Sequence, residues 1–187
     1  MGGMRPEPFV IPALPILLPL GAVLMVASWV VLRRRGTLTG RRLAAFWLAS
    51  WYAVAVLGAT LLPLEVDPGG AIEWFRINPV PLTMLRVRDF VLNIAMTVPL
   101  AAVLYVVFGV RDRARVLRVA VLVSASIEVT QTVLILTVHG NRWAEANDLV
   151  ANVGGAWLGF LLFRRLLDVE GVRRAVDGSA AVPERTP

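Results

Sequence analysis

Five apolar runs of about twenty residues, separated by polar segments, dominate the sequence. Apolar residues make up 57% of the 187 positions, and each run matches the roughly 20 residues that a helix needs to cross a bilayer. We predict an all-α polytopic bundle of about five transmembrane helices, forming a single domain over residues 1–167. The predicted spans are 9–32, 43–63, 89–108, 119–138 and 149–167, with a long connection at 64–88 and a flexible tail at 168–187.

The first apolar run has a cleaved signal peptide as an alternative reading. A signal peptide carries its positive charges before the apolar run. Here only Arg5 precedes the run, whereas the cluster 33–35 follows it. We therefore expect a membrane-spanning helix, whose first half is bent or delayed by Pro12, Pro15 and Pro19.

Residue usage excludes several kinds of site. The sequence has no cysteine, which excludes disulfide bonds and thiolate metal sites. Its single histidine, His139, argues against a His-cluster metal site, and we expect neither a metal nor another cofactor. Arginine clusters flank the apolar runs, so we read the net charge of +6 as a signal of membrane topology and contact with anionic membrane lipids, not of nucleic-acid binding.

Arginine placement predicts the orientation of the bundle. With five spans, fourteen arginines fall on one side of the membrane and five on the other. The positive-inside rule assigns the richer side to the cytoplasm. We predict a multi-pass protein of the bacterial plasma membrane with its N-terminus outside, its C-terminus in the cytoplasm, and the connections 64–88 and 139–148 facing outward. The fourteen are Arg33, Arg34, Arg35, Arg41, Arg42, Arg111, Arg113, Arg115, Arg118, Arg164, Arg165, Arg173, Arg174 and Arg185, and the five are Arg5, Arg76, Arg86, Arg88 and Arg142.

The fourth apolar run contains an acid, Glu128. The spacing of Ser124, Glu128 and Gln131 places all three on one face of a helix. An ionisable group at the centre of a bilayer costs about 2.5–3.5 kcal/mol on insertion scales, and it is tolerated where it faces a protein interior or a wet cavity. The face therefore predicts a polar pocket inside the bundle.

The third and fifth runs begin with a matching pair of polar residues. Asp89 and Asn93 are one helical turn apart, as are Asp148 and Asn152. Both helices are predicted to start on the outer side, so these pairs would open the pocket outward. The predicted pocket residues are Asp89, Asn93, Ser124, Glu128, Gln131, Arg142, Asp148 and Asn152.

Small residues continue the polar face of the fifth run. Gly155 and Gly159 form a GxxxG pattern, which predicts close packing against another helix. For Asn152 and Gln131, the alternative to a ligand-binding role is interhelical hydrogen bonding alone.

Residues 78–163 resemble the VanZ-like family of small bacterial membrane proteins, named for a teicoplanin-resistance protein. Three motifs carry the resemblance by their order and spacing. Asn93 is followed six residues later by the dipeptide 99–100 (Pro-Leu), the stretch 124–131 reads Ser-x-x-Ile-Glu-x-x-Gln, and residues 148–159 read Asp-x-x-x-Asn-x-x-Gly-x-x-x-Gly.

The sequence also departs from the family pattern. The entry segment is matched only weakly, by residues 78–81, and Ala101 stands where the family has glycine. Arg142 matches, but Glu145 and Asn147 stand where the family usually has aspartate. These two changes argue further against a metal site in this connection.

The resemblance implies a role in the cell envelope, with reduced susceptibility to lipoglycopeptides such as teicoplanin. In the first of three hypotheses, the pocket binds or modifies a lipid-linked envelope component such as a cell-wall precursor, or it binds the acyl tail and head group of a glycopeptide. Arg142 would attract an anionic head group, while Glu128 and Gln131 would form hydrogen bonds deeper in the pocket.

The other two hypotheses are an intramembrane enzyme and a small transporter or flippase. In the enzyme, Glu128 would act as a general acid or base, with Asp148 or Asp89 as its partner. The sequence shows no Ser–His or Cys–His pair, so we do not expect an acyl-enzyme. Membrane-embedded carboxylates also mark transport paths, although the polar residues are predicted to stop near mid-depth and the sequence has no inverted repeat.

Overall fold

The computed structural model describes residues 6–179, so Arg5 and Arg185 of the orientation count lie outside the described residues. The helices are α1 (Leu14–Arg34), α2 (Gly40–Leu61), α3 (Val87–Thr97), α4 (Leu100–Phe108), α5 (Arg113–Val138), α6 (Ala146–Leu167) and α7 (Glu170–Ser179). The strands are β1 (Phe9–Ile11), β2 (Leu64–Val66), β3 (Ile77–Asn78) and β4 (Ala144–Glu145), and residues Trp74–Arg76 form a 3₁₀ turn.

The prediction of an all-α bundle with five long apolar helices is confirmed. Within the described residues, α1, α2, α5, α6 and the combined α3–α4 unit are each long and apolar enough to cross a membrane. Many of their large apolar side chains are exposed on the bundle surface, for example Leu48 and Leu122. Such a surface suits hydrocarbon and not water, because a helix in a bilayer faces lipid.

Two helices, α2 and α5, begin several residues before the spans predicted for them. The predicted fourth span starts at 119, but α5 starts at Arg113, where the Asp112 carboxylate accepts a hydrogen bond of 2.9 Å from the Arg115 N–H. In α2 the Thr39 hydroxyl accepts a hydrogen bond of 3.3 Å from the Arg42 N–H in the same way. Capping therefore extends both helices into their arginine-rich flanks.

The third predicted span is interrupted at Val98 and Pro99, which separate α3 from α4. Proline lacks a backbone N–H, so it removes one bond of the helical ladder. Helix α6 packs against this interruption through two of its glycines, Gly155 and Gly159. A Cβ added at Gly159 would overlap the Val98 carbonyl oxygen, and one at Gly155 would overlap Thr97 Oγ1 and the Ile94 carbonyl oxygen.

The alternating direction of the helices gives the bundle two different ends. At one end, β1 pairs antiparallel with β2, and β3 pairs parallel with β4. We call this the capped end, because the connection 62–86 and the segment 139–145 both lie there. The opposite end, which we call the arginine-rich end, carries the connections 35–39 and 109–112 and helix α7.

The segment predicted as a flexible tail contains a helix, α7. It packs against α2 and α4 at the arginine-rich end. The Tyr105 hydroxyl donates a hydrogen bond of 3.4 Å to Asp177, and Gly178 lies beside Arg41. Residues 180–187, the remainder of the predicted tail, lie outside the described residues.

Helix α5 extends beyond its neighbours at the capped end. The Gln131 side chain donates a hydrogen bond of 2.9 Å to the Thr60 carbonyl, one residue before α2 ends. From Gln131 to Val138, α5 continues for about 10 Å at 1.5 Å per residue. Gln131 therefore lies level with the end of α2 and Glu128 with the start of α6, whereas Ser124 lies further into the bundle.

Candidate functional site

Glu128 lies where α5 meets the first turn of α6. Its Oε2 accepts a hydrogen bond of 2.8 Å from the backbone N–H of Glu145, the N-cap residue of α6. In a capping box, an acid three residues after the N-cap accepts this bond. Here Asp148 occupies that position, but Glu128 from another helix accepts the bond instead. A carboxylate at this place also interacts favourably with the dipole of α6.

Asp148 faces α3 and not the backbone of its own helix. The Asn93 side chain lies within hydrogen-bonding reach of the Asp148 carboxyl group. Three other acids, Glu128, Glu145 and Asp89, lie close enough to Asp148 for electrostatic repulsion. The structure thus brings together the acids of the third, fourth and fifth apolar runs, and it adds one from the segment 139–145.

Arg86 is the cation of this cluster, and the sequence analysis did not include it in the pocket. Its Nη2 lies 3.0 Å from Glu145 Oε1, and its Nη1 lies 3.2 Å from Asp89 Oδ2. The guanidinium also lies 4.4 Å from the centroid of the Trp143 ring, in a cation–π contact. The three-residue spacing from Arg86 to Asp89 could have revealed the first pair, whereas nothing in the spacing reveals the pair with Glu145.

We define the acidic cluster as the four carboxyl groups of Asp89, Glu128, Glu145 and Asp148 together with Arg86. The acids outnumber the cation, and the Glu145 side chain is only 4% exposed. Among the described residues, no group of three His, Cys, Asp or Glu side chains is arranged to hold a metal ion. The cluster is therefore suited to ligand groups that donate hydrogen bonds, such as hydroxyl, amide and ammonium groups.

Ser124 and Asn152 form a buried pair one helical turn from the acidic cluster. Asn152 Nδ2 donates a hydrogen bond of 2.9 Å to Ser124 Oγ, and both residues are almost fully buried. Asn152 Oδ1 and Gln131 Oε1 are buried without a hydrogen-bond partner in the described part of the chain. The donor groups of both amides thus join helices, while their acceptor oxygens stay unpaired at a free-energy cost of about 1–3 kcal/mol each.

Arg142 lies apart from the acidic cluster. Its guanidinium donates a hydrogen bond to the Pro63 carbonyl oxygen, and Glu65 is the acid that interacts with it. Burial lowers the pKa of Arg142 below its ordinary value, and Glu65 partly opposes that shift. This placement ties the segment 139–145 to the end of α2. The expected role of Arg142 as the cation that attracts an anionic head group stays a prediction.

Asn147 fixes the connection above the acidic cluster. This residue is 1% exposed, and its Oδ1 accepts a hydrogen bond of 2.6 Å from the Leu82 N–H. Its Nδ2 donates one of 2.8 Å to the Thr83 carbonyl, which also accepts 3.0 Å from Asn78 Nδ2. In the sequence, Asn147 stood out only because it occupies a position where the family pattern usually has aspartate.

His139, the single histidine, lies elsewhere in the segment 139–145. Its Nδ1 contacts the Asp67 carbonyl oxygen at 2.8 Å.

Comparison with known proteins gave one family. A family model described as VanZ/LLP1 matches residues 45–167, which include most of α2, all of α3 to α6 and every residue of the acidic cluster. No curated protein and no solved structure matches the sequence.

Proposed function

Because the chain belongs to the VanZ/LLP1 family, we propose that this membrane protein binds a lipid-linked component of the bacterial cell envelope at its capped end. The observation that carries the proposal is the acidic cluster. Helices α3, α5 and α6 and the segments 79–86 and 139–145 all contribute to it. A concentration of carboxyl groups in an apolar bundle is costly, and such groupings mark binding or catalysis more often than packing.

The proposal places the capped end on the outer face of the membrane. The described arginines of the clusters 33–42, 111–118 and 164–174 belong to the opposite end of the bundle, which the positive-inside rule assigns to the cytoplasm. Cell-wall precursors are accessible to glycopeptides on the outer face. A protein that binds a precursor, or the glycopeptide itself, would therefore reduce susceptibility to lipoglycopeptides such as teicoplanin.

The charge of the acidic cluster defines the part of the ligand that it would hold. Sugar hydroxyls, amides and amines donate hydrogen bonds to carboxylates, whereas a phosphate beside unpaired carboxylates is repelled. Arg86 is 38% exposed and is the cation through which the cluster would contact a phosphate. We therefore assign the carboxyl groups to the glycan or peptide part of the head group.

We expect Glu128→Gln to weaken binding of lipid II by about 10- to 100-fold, the loss expected when a carboxyl group that hydrogen-bonds the ligand is replaced by an amide. Binding would be measured by microscale thermophoresis on the full-length protein in nanodiscs. Glu170→Gln, on α7 at the arginine-rich end, is the control and should bind as the wild type does. The proposal is wrong in this form if the wild type binds none of lipid II, teichoic-acid lipids and teicoplanin.

A second candidate function is acid–base catalysis on an envelope lipid. Glu128 accepts a hydrogen bond from a backbone N–H, whereas Asp148 lies beside the Asn93 amide, so two neighbouring carboxyl groups have different partners. When the surroundings of two paired carboxyl groups differ, one group can act as the acid and the other as the base.

For this enzyme, we expect Glu128→Gln to lower product formation by about 10²- to 10⁴-fold. Radiolabelled lipid II would be incubated with the protein and separated by thin-layer chromatography, with teicoplanin tolerance of expressing cells as the second measurement. Full tolerance with Glu128→Gln, combined with lost tolerance with Arg142→Ala, would exclude acid–base chemistry at Glu128.

A further inference from the structure

A cavity of about 860 Å³ lies next to the acidic cluster, between the α1–α2 hairpin and helices α3, α4 and α5. Its walls are mostly aliphatic, and its hydroxyl groups are largely engaged. Tyr52 donates to the Met96 carbonyl at 3.0 Å, and Thr97 donates to the Asn93 carbonyl at 2.9 Å. The cavity is partly open at the bundle surface, where its lining residues Phe108 and Leu122 are exposed. In a bilayer, such an apolar opening faces hydrocarbon, so an apolar occupant suits it.

The cavity is continuous with the functional site already described. Ser124 and Asn152 both line it, and each lies one helical turn from an acid of the acidic cluster, Glu128 and Asp148 respectively. The hydrogen bond from Gln131 to the Thr60 carbonyl joins α5 to α2 at the capped end of the cavity. The buried Ser124–Asn152 pair thus lies between the acidic cluster and the cavity, and one helical turn is a distance that a single molecule with a polar head and an apolar chain can span.

The volume of the cavity is that of a site for a small molecule. Ligand pockets commonly measure about 300–1,000 Å³, a range that includes this cavity. Flexible hydrocarbon chains fit irregular spaces of this size and are abundant in the bilayer around the protein.

We propose that the cavity binds the hydrocarbon chain of a membrane lipid, namely the chain of the same lipid-linked molecule whose head group binds at the acidic cluster. The link to the head group rests on the proposed function. Binding of the chain rests on the cavity alone, so the two parts can fail separately.

The α2 wall of the cavity offers a matched pair of substitutions. Ala53 and Ala55 are both exposed on the same helix, but only Ala53 lines the cavity. Phenylalanine at position 53 would fill space that the chain needs, while phenylalanine at position 55 would face the surrounding lipid. Ala49 also lines the cavity, one turn from Ala53, and provides a second blocking position.

The test uses a phosphatidylglycerol that carries a diazirine in the middle of one acyl chain. Full-length protein in nanodiscs would be photolysed, and the crosslinked residues mapped by mass spectrometry. We expect adducts concentrated on the cavity faces of α2 and α5. Labelling of these faces should fall at least about fivefold in both Ala53→Phe and Ala49→Phe and stay unchanged in Ala55→Phe, at equal melting temperatures.

Two results would overturn the chain site. The first is labelling of the cavity no stronger than that of the lipid-facing residues Trp157 and Leu158 on α6. The second is wild-type labelling in both blocked variants. Because the probe has no glycan, cavity labelling with no lipid II binding would refute the head-group proposal alone. Lipid II binding with no cavity labelling would refute the chain site alone.

Discussion

Gly159→Ala is expected to lower the free energy of unfolding by about 1–3 kcal/mol or more, the usual cost of overpacking a close contact. An added Cβ would overlap the Val98 carbonyl oxygen, which belongs to the backbone and cannot rotate away. Helices α3, α4 and α6 would have to separate at the point where they approach most closely. Thermal unfolding in detergent, followed by circular dichroism, measures the change.

Gly154→Ala is the matched control on the same helix. A Cβ at Gly154 meets no atom within 4 Å, and alanine is favoured over glycine in a helix by about 1 kcal/mol. This variant should be as stable as the wild type or slightly more stable. An unchanged melting temperature in Gly159→Ala would show that α6 does not pack against the interruption between α3 and α4 as described.

Arg86→Ala is expected to destabilise the capped end by about 2–4 kcal/mol, because it leaves the carboxylate of Glu145 buried and without its cation. The estimate lies below the full cost of breaking a buried pair, since Arg86 is 38% exposed. The variant also removes the contacts of Arg86 with Asp89 and Trp143. Thermal unfolding gives the overall change, and hydrogen exchange of residues 79–86 and 139–145 shows where it occurs.

The double variant Arg86→Ala/Glu145→Gln separates the ion pair from general damage. Removing both charges leaves no buried carboxylate unpaired, so this variant should recover part of the lost stability. Arg88→Ala, at an exposed position in the same turn, should unfold as the wild type does. A double variant less stable than Arg86→Ala alone would contradict the assigned pairing.

The helices could be predicted because in a bilayer hydrophobicity nearly dictates them. The exceptions are helical segments that are too polar to be detected from hydropathy. Residues 113–118 are rich in arginine, yet Asp112 caps them into α5. Helix α7 is short and mostly polar, and its Glu170–Arg174 ion pair of 2.7 Å and its packing on α2 and α4 depend on contacts that composition does not reveal.

The acidic cluster could be predicted only where local spacing carries the information. The pairs Asp89–Asn93 and Asp148–Asn152 and the face of Glu128 follow from helical periodicity. The contacts of Arg86 with Glu145 and of Arg142 with Pro63 join irregular segments that are distant in sequence. No periodic pattern constrains such segments, so the structure was needed to identify the cation of the cluster.

The cap that Glu128 provides for α6 has a consequence for biosynthesis. The chain emerges from its N-terminus, so Glu128 enters the membrane with α5 before the Glu145 N–H has been synthesised. Until α6 inserts, the acid bears the insertion penalty without its backbone partner. Asp89, in contrast, has its ion-pair partner Arg86 three residues before it in the chain. Glu128 therefore acquires its backbone partner only when the segment before α6 has been made.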